Sequence, residues 1–263
     1  MNIFICEDSP EGIFTGVYDG WAGKKGHENV KLVTAVEEYE LFGEYRTVAA
    51  DEEKAAKVLR TVCNRLGQET YECLYRAMCA DDPEKADAVY HTIAVGLSVK
   101  NGRDIMNHLS NPYVAKVFAL DRKVRNEAWR FVEFLRFQEL KNGVLYAKIG
   151  AENKVLPLIA PHFADRLVNE NFLIYDHKHG DSIVHEKQKP WVLVKGEELN
   201  EDFTKQYSEQ EEFYQELFTQ FSHTISIKER ENPRLQMQML PLKFRKYMTE
   251  FSESKRKSNF CES

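Results

Sequence analysis

Apolar residues along this chain switch between two spacings. Asn2 to Cys6 is a short apolar run ending at Glu7 and Asp8, which reads as a buried strand. Ser9 and Pro10 follow as an N-cap and first helical residue. Ile13, Phe14, Val17, Tyr18 and Trp21 then recur at helical spacing, which predicts a helix after the strand. Val30 to Ala35 and Glu44 to Val48 are weaker strand candidates. From Asp51 to Arg65, from Glu69 to Cys79 and from Pro83 to Lys100 the spacing is helical again, and the tight loops between predict an antiparallel cluster.

The longest helical pattern starts at Asn111-Pro112 and is expected to run to about Lys141. Val117, Leu120, Val124, Ala128, Phe131 and Leu135 fall on one side and form its buried face. Arg122, Arg125, Trp129 and Arg136 fall on another sector. Guanidiniums flanking an indole suit a phosphate next to a base, and equally suit a solvated face whose arginine stems cover the ring. Asn142-Gly143 reads as a helix end or a tight turn, and Val144 to Ile149 as a strand. Pro157 opens another helix, with Pro161 expected in its first turn. Asn171 to Asp176, Ser182 to His185 and Trp191 to Val194 form a predicted meander. Helices are expected over Glu209–Ile225 and Leu242–Phe251, and a loose polar tail over 252–263.

These elements predict an α+β fold: a mainly helical body with a small antiparallel sheet that the N-terminal strand joins. No Pro-, Gly- or Ser-rich linker interrupts the chain, so one compact domain is expected over residues 1–251.

Composition narrows the class. The chain has 263 residues, 43% hydrophobic and 30% charged, an ordinary globular profile. No apolar run of about 18 residues exists, so no membrane span is expected. Met1 to Cys6 lacks the basic start and small-residue cleavage site of a secretion signal. The cysteines (Cys6, Cys63, Cys73, Cys79, Cys261) are odd in number and form no CxxC, which favours reduced thiols and a cytoplasmic location. A net charge of −6 disfavours indiscriminate nucleic-acid binding. The charge is uneven, however. Lys195–Ile227 carries eight acids against two lysines, while Lys228–Lys257 carries nine basic residues against four acids. The second stretch is either a ligand-facing surface or a face neutralised by the first.

Candidate chemistry is sparse. GxSxG, HExxH, GxGxxG and a phosphate loop are all absent. Asp176, His177, His179, Asp181 and His185 lie close in sequence, but a hairpin at Gly180 and the lack of helical HxxxH spacing argue against a metal site. No metal or cofactor is expected, and the sequence leaves enzymatic activity open.

Three stretches carry a family resemblance: Phe134-Leu135-Arg136-Phe137, Val155 to Phe163 with Pro157, Pro161 and His162, and Asn232-Pro233-Arg234-Leu235-Gln236 with Pro241 and Tyr247 to Glu250. In this order they resemble a DNA-metabolism family built on a domain of unknown function. Its members are often encoded beside a radical-SAM protein of DNA repair or modification, and are in some cases fused to a uracil-DNA glycosylase. The resemblance is read across nearly the whole chain. It departs at Cys6-Glu7-Asp8 and at Lys243-Phe244-Arg245. It implies a DNA repair or modification factor with a radical-SAM partner and DNA as ligand. Arg136, His162, Asn232, Arg234 and Gln236, with Arg122, Arg125 and Trp129, would form the nucleic-acid cleft. Arg136 and Arg234 would meet phosphates, Asn232 and Gln236 would read a base edge, and His162 would move a proton. The alternative from another class is an adaptor that docks on the radical-SAM enzyme through the acidic Glu197–Glu216 segment and exposed aromatics, without touching DNA.

Overall fold

The computed structural model describes residues 1–36, 39–196, 206–225, 232–248 and 251, except the side chains of residues 219, 222, 223 and 225. Contacts group the chain into two compact units, Met1–Asn126 and Glu127–Ser263. The predicted tail at 252–263 lies outside the described residues, as do Glu197, Glu198, Glu201, Asp202 and Lys205 of the acidic stretch. No described helix is long and apolar enough to cross a membrane.

The first unit opens with β1 (Asn2–Cys6), α1 (Pro10–Ala22), β2 (Val30–Val33) and β3 (Glu44–Val48). Ser9 caps α1 as its residue type predicts, its Oγ accepting from Gly12 N at 3.0 Å. Because α1 carries the chain back across the sheet, β2 pairs with β1 in parallel, and β3 pairs with the other edge of β1, also in parallel. The order is β2-β1-β3. On one sheet face α1 lies so close that a Cβ at Gly16 would overlap Cys6 Sγ. The Cys6 thiol is pushed up to about 12, by burial first and by the Asp19 charge second. α2 (Glu52–Arg65), α3 (Gln68–Met78) and α4 (Lys85–Ser98) follow close to the predicted limits. Their inward residues Val62, Leu66, Leu74, Met78, Val89, Tyr90 and Ile93 are all buried. Trp21 is 41% exposed and packs on His27, with ring centroids 4.4 Å apart.

α5 (Pro112–Phe134) begins in the first unit and ends in the second. Val117, Leu120, Val124, Ala128 and Phe131 are buried as the spacing requires. The helix stops seven residues short of Lys141 because Gln138 and Glu139 form β4, which pairs with β5 (Leu145–Ile149). Phe137 explains the exit: its ring meets Phe163 at 5.3 Å and Phe172 at 5.6 Å. Asn142-Gly143 is therefore a hairpin turn, with Gly143 at φ 77°.

In the second unit α6 (Leu156–Arg166) crosses from β5 to β6 (Phe172–Asp176), and β7 (Asp181–His185) and β8 (Val192–Val194) complete the meander. The sheet order is β4-β5-β6-β7-β8. Only β5 and β6 run parallel in it; the other pairs are antiparallel. The expected small antiparallel sheet is thus replaced by one parallel and one mixed sheet, and β1 joins the former. The helical crossovers through α1 and α6 set the β1/β2 and β5/β6 pairs parallel, since strands so connected within one sheet run the same way. Pro161 lies inside α6 rather than in its first turn. α7 (Glu209–Ile225), α8 (Pro233–Met239) and α9 (Leu242–Arg245) follow. α9 ends well before Phe251, the predicted limit.

Candidate functional site

The parallel pair β5/β6 places two loops side by side at its carboxyl ends, the usual position for a ligand in such a sheet. One is Gly150–Val155 and the other His177–Gly180. Two buried carboxylates anchor them. Asp176, 1% exposed, closes β6; its Oδ1 accepts from Ala151 N at 3.3 Å and Lys178 N at 3.1 Å, and its Oδ2 meets His179 Nδ1 at 2.7 Å. Glu127, 6% exposed, reaches the first loop from the end of α5. Its Oε1 accepts from Glu152 N at 3.0 Å, and its Oε2 from Asn153 N at 2.9 Å and Asn153 Nδ2 at 2.5 Å.

Residues near the C-terminus close over these loops. Lys243 Nζ stands 3.3 Å from Glu127 and 3.1 Å from Glu152. Burial pulls the Lys243 ammonium down, but the two carboxylates outweigh it and leave its pKa raised. The Tyr247 hydroxyl shares a hydrogen bond with His177 Nε2. Burial, then the Asp176 charge, raises the tyrosine's pKa. Gly150 lies close beneath this pair: a Cβ there would stand 2.5 Å from Tyr247 Oη and 2.7 Å from His177 Nε2, so both side-chain ends would have to shift. Beneath Lys243, Phe244 is buried against Phe131, with centroids 5.0 Å apart. The result is a polar rim, His177, Tyr247 and Lys243, over two loops fixed by buried acids. It offers the His177 and Tyr247 polar groups to a polar ligand, while the Lys243 ammonium is already paired with Glu127 and Glu152. The acids themselves are occupied in holding backbone.

The histidine-rich stretch does not assemble a metal centre. His185 gives its Nδ1 to the Glu170 carbonyl at 2.9 Å and stacks on Phe172, while Asp181 accepts from Gly196 N. Among the described residues no group of three or more His, Cys, Asp or Glu could hold a metal ion.

The structure distributes the sequence-predicted residues over three helices and one connecting segment. Arg122, Arg125 and Trp129 are exposed on α5. Arg136, just past that helix, turns back to the carbonyls of Glu133 at 3.5 Å and Leu135 at 3.4 Å. His162 is exposed on α6 with its ring against Phe163. Because Phe163 in turn touches Phe137, the segments carrying His162 and Arg136 are neighbours. Asn232 caps α8, its Oδ1 accepting from Leu235 N at 3.0 Å. This is the structural role open to any Asn-Pro pair at a helix start. Arg234 and Gln236 lie exposed on the same helix. Its far end meets α5, where Arg130 donates to the Met239 carbonyl at 3.0 Å.

Sequence reasoning missed Glu127, Gly150, Asn153 and Tyr247 as parts of one site. Glu127 sits among helix charges, and its buried partners lie 25 and 26 residues away. The cue available was the Asp176-His177 step where a strand pattern meets a turn.

Comparison with known families gives one match. The model for a domain of unknown function, DUF4130, covers residues 83–250. It leaves out the first 82 residues, to which the resemblance extends. No curated protein matches the chain significantly.

Proposed function

This chain belongs to the DUF4130 family, defined by a domain of unknown function, and we propose that it is a DNA repair or DNA modification factor that works with a radical-SAM partner and contacts nucleic acid itself. One observation supports the contact. Arg122, Arg125, Trp129, His162, Arg234 and Gln236 are all exposed, and their polar groups make no hydrogen bond or ion pair among the described residues. Uncommitted guanidiniums can take phosphates, an exposed indole can take the face of a base, and the Gln236 amide can meet a base edge. Asn232 spends its Oδ1 on the helix cap, which leaves its Nδ2 as the donor for a base edge.

Fluorescence anisotropy with a labelled single-stranded oligonucleotide tests the reading. Affinity is expected to fall steeply as salt rises, because each neutralised phosphate releases counterions. Arg234→Ala should weaken binding to all sequences alike and lower the salt slope by roughly one. Trp129→Ala should cost about 1–3 kcal/mol of binding, the range for one base–aromatic stack. No binding at low salt, with and without the radical-SAM partner, overturns the proposal.

A second reading has its own support. Phe213, Tyr214, Leu217, Phe218 and Phe221 are 42–62% exposed along α7, in a helix whose first turn carries Glu209, Glu211 and Glu212. An apolar stripe of this kind marks an interaction surface and fits an adaptor docked on the radical-SAM enzyme. Phe213→Ser with Phe221→Ser separates the two readings. An adaptor loses co-purification of the enzyme and never binds DNA, whereas a DNA-contacting factor keeps its oligonucleotide affinity.

A further inference from the structure

The first unit contains a hollow of about 660 Å³ on the sheet face opposite α1. Ile3, Lys31 and Tyr45 occupy one register row across the three strands and form its floor. The first turn of α4 and the start of α5 form its walls, bringing Asp87, Tyr113 and Lys116. Its volume falls in the range of small-molecule sites, about 300–1,000 Å³.

The charges in this hollow are not equally available. Lys31 is paired with Glu40 at 2.5 Å, and Lys116 with Glu84 at 2.6 Å and Asp82 at 3.0 Å. Both ammoniums are therefore neutralised within the protein. Asp87 differs. Its Oδ1 accepts from Leu32 N at 3.1 Å, on the edge strand β2, and lies 3.7 Å from His91 Nε2. Its Oδ2 makes no hydrogen bond among the described residues. His91 also bonds the Val30 backbone and stacks on Tyr113, with ring centroids 4.1 Å apart. Burial holds its pKa down, so near neutral pH it adds no positive charge to offset Asp87. Among the described residues the lining thus carries three carboxylates against two ammoniums, and the unmatched acceptor is Oδ2 of Asp87, on a carboxylate whose other oxygen is held by the Leu32 N–H. Ile3, Val33 and Ala88 supply apolar surface, and Tyr45 and Tyr113 supply ring faces that attract cations.

We propose that this hollow binds a small organic cation with a flat or apolar body, whose amidinium or ammonium head donates to Asp87 Oδ2 while its body lies between the sheet floor and Tyr113. The site is independent of the nucleic-acid reading. An anionic ligand is disfavoured, since among the described residues no unpaired cation faces the space.

Benzamidine is a suitable probe and benzoate, the same ring bearing an anion, its control. Each is titrated into the full-length protein while backbone amide shifts are followed by NMR. Benzamidine should give saturable shifts at Lys31, Leu32, Tyr45 and Ala88, and benzoate none. Asp87→Asn keeps an oxygen for Leu32 N and should weaken benzamidine by about tenfold or more, the loss of one charge-assisted hydrogen bond. Equal response to benzoate, no saturable shift at millimolar benzamidine, or undiminished affinity in Asp87→Asn overturns the proposal. Should the variant fail to fold, the contrast between the two probes on the wild-type protein decides the matter alone.

Discussion

At the scale of single residues, buried carboxylates hold the parts that matter together. Removing Glu127 leaves the amides of Glu152 and Asn153 without their acceptor and Lys243 with one partner fewer. Glu127→Ala should therefore cost about 3 kcal/mol in chemical denaturation, the usual penalty for breaking a buried charged network from one side. Gly16→Ala brings two opposed effects: alanine improves helix propensity by up to about 1 kcal/mol, but its methyl would collide with Cys6 Sγ and approach Leu32 Cδ2 at 3.1 Å. The collision wins, because the sulfur is buried between sheet and helix. A net loss of about 1–3 kcal/mol is expected. His91 sets a pH dependence. Burial lowers its folded pKa, so below the ordinary value of about 6.5 the unfolded chain takes up a proton that the native chain does not. Stability contributed by neutral His91 is present above that pH and lost as pH falls through the interval down to the folded pKa. His91→Gln should flatten this part of the pH–stability curve, measured by urea midpoints.

At the scale of elements, caps and stripes were the legible part. Ser9-Pro10, Asp51 and Asn232-Pro233 each start a helix in the structure, because an N-cap is local chemistry readable from neighbouring residues. Asn232→Ala should accordingly speed amide exchange at Leu235 and cost α8 about 1 kcal/mol. The end of α5 was not legible. Nothing local in Leu135-Arg136-Phe137 stops a helix; distant rings draw Phe137 away. Sheet direction failed for a related reason. Strand periodicity reports which faces are buried, while the crossovers through α1 and α6 set parallel pairing. The candidate site was read only in part. Exposed arginines and the indole announce themselves, whereas Glu127 and Tyr247 acquire meaning only once loops from far along the chain reach them.

At the scale of the molecule, two divisions of the chain disagree. Contacts part it after Asn126, whereas the family match starts at Pro83, inside the first unit. The matched segment therefore includes α4 but not the strands that α4 packs on. Tyr90 and Ile93, 1% and 2% exposed, owe part of their cover to the excluded residues; Tyr90, for example, lies against Gly20 of α1. A chain cut to residues 83–263 should bind a hydrophobic dye and lose cooperative thermal unfolding, where the intact protein does neither. The same contact between α4 and β2 has another effect. An outermost strand with free amides invites a foreign strand to zip alongside it. Here Asp87 and His91 occupy the main-chain groups of Leu32 and Val30 that such an intruder would need. The opposite border, β3, carries the exposed charges of Glu44 and Arg46. Both flanks of this small sheet are thus guarded against fibril-like stacking, one by a helix and one by charge. Asp87→Ala with His91→Ala should show first as slow self-association on storage, before any loss of folded structure.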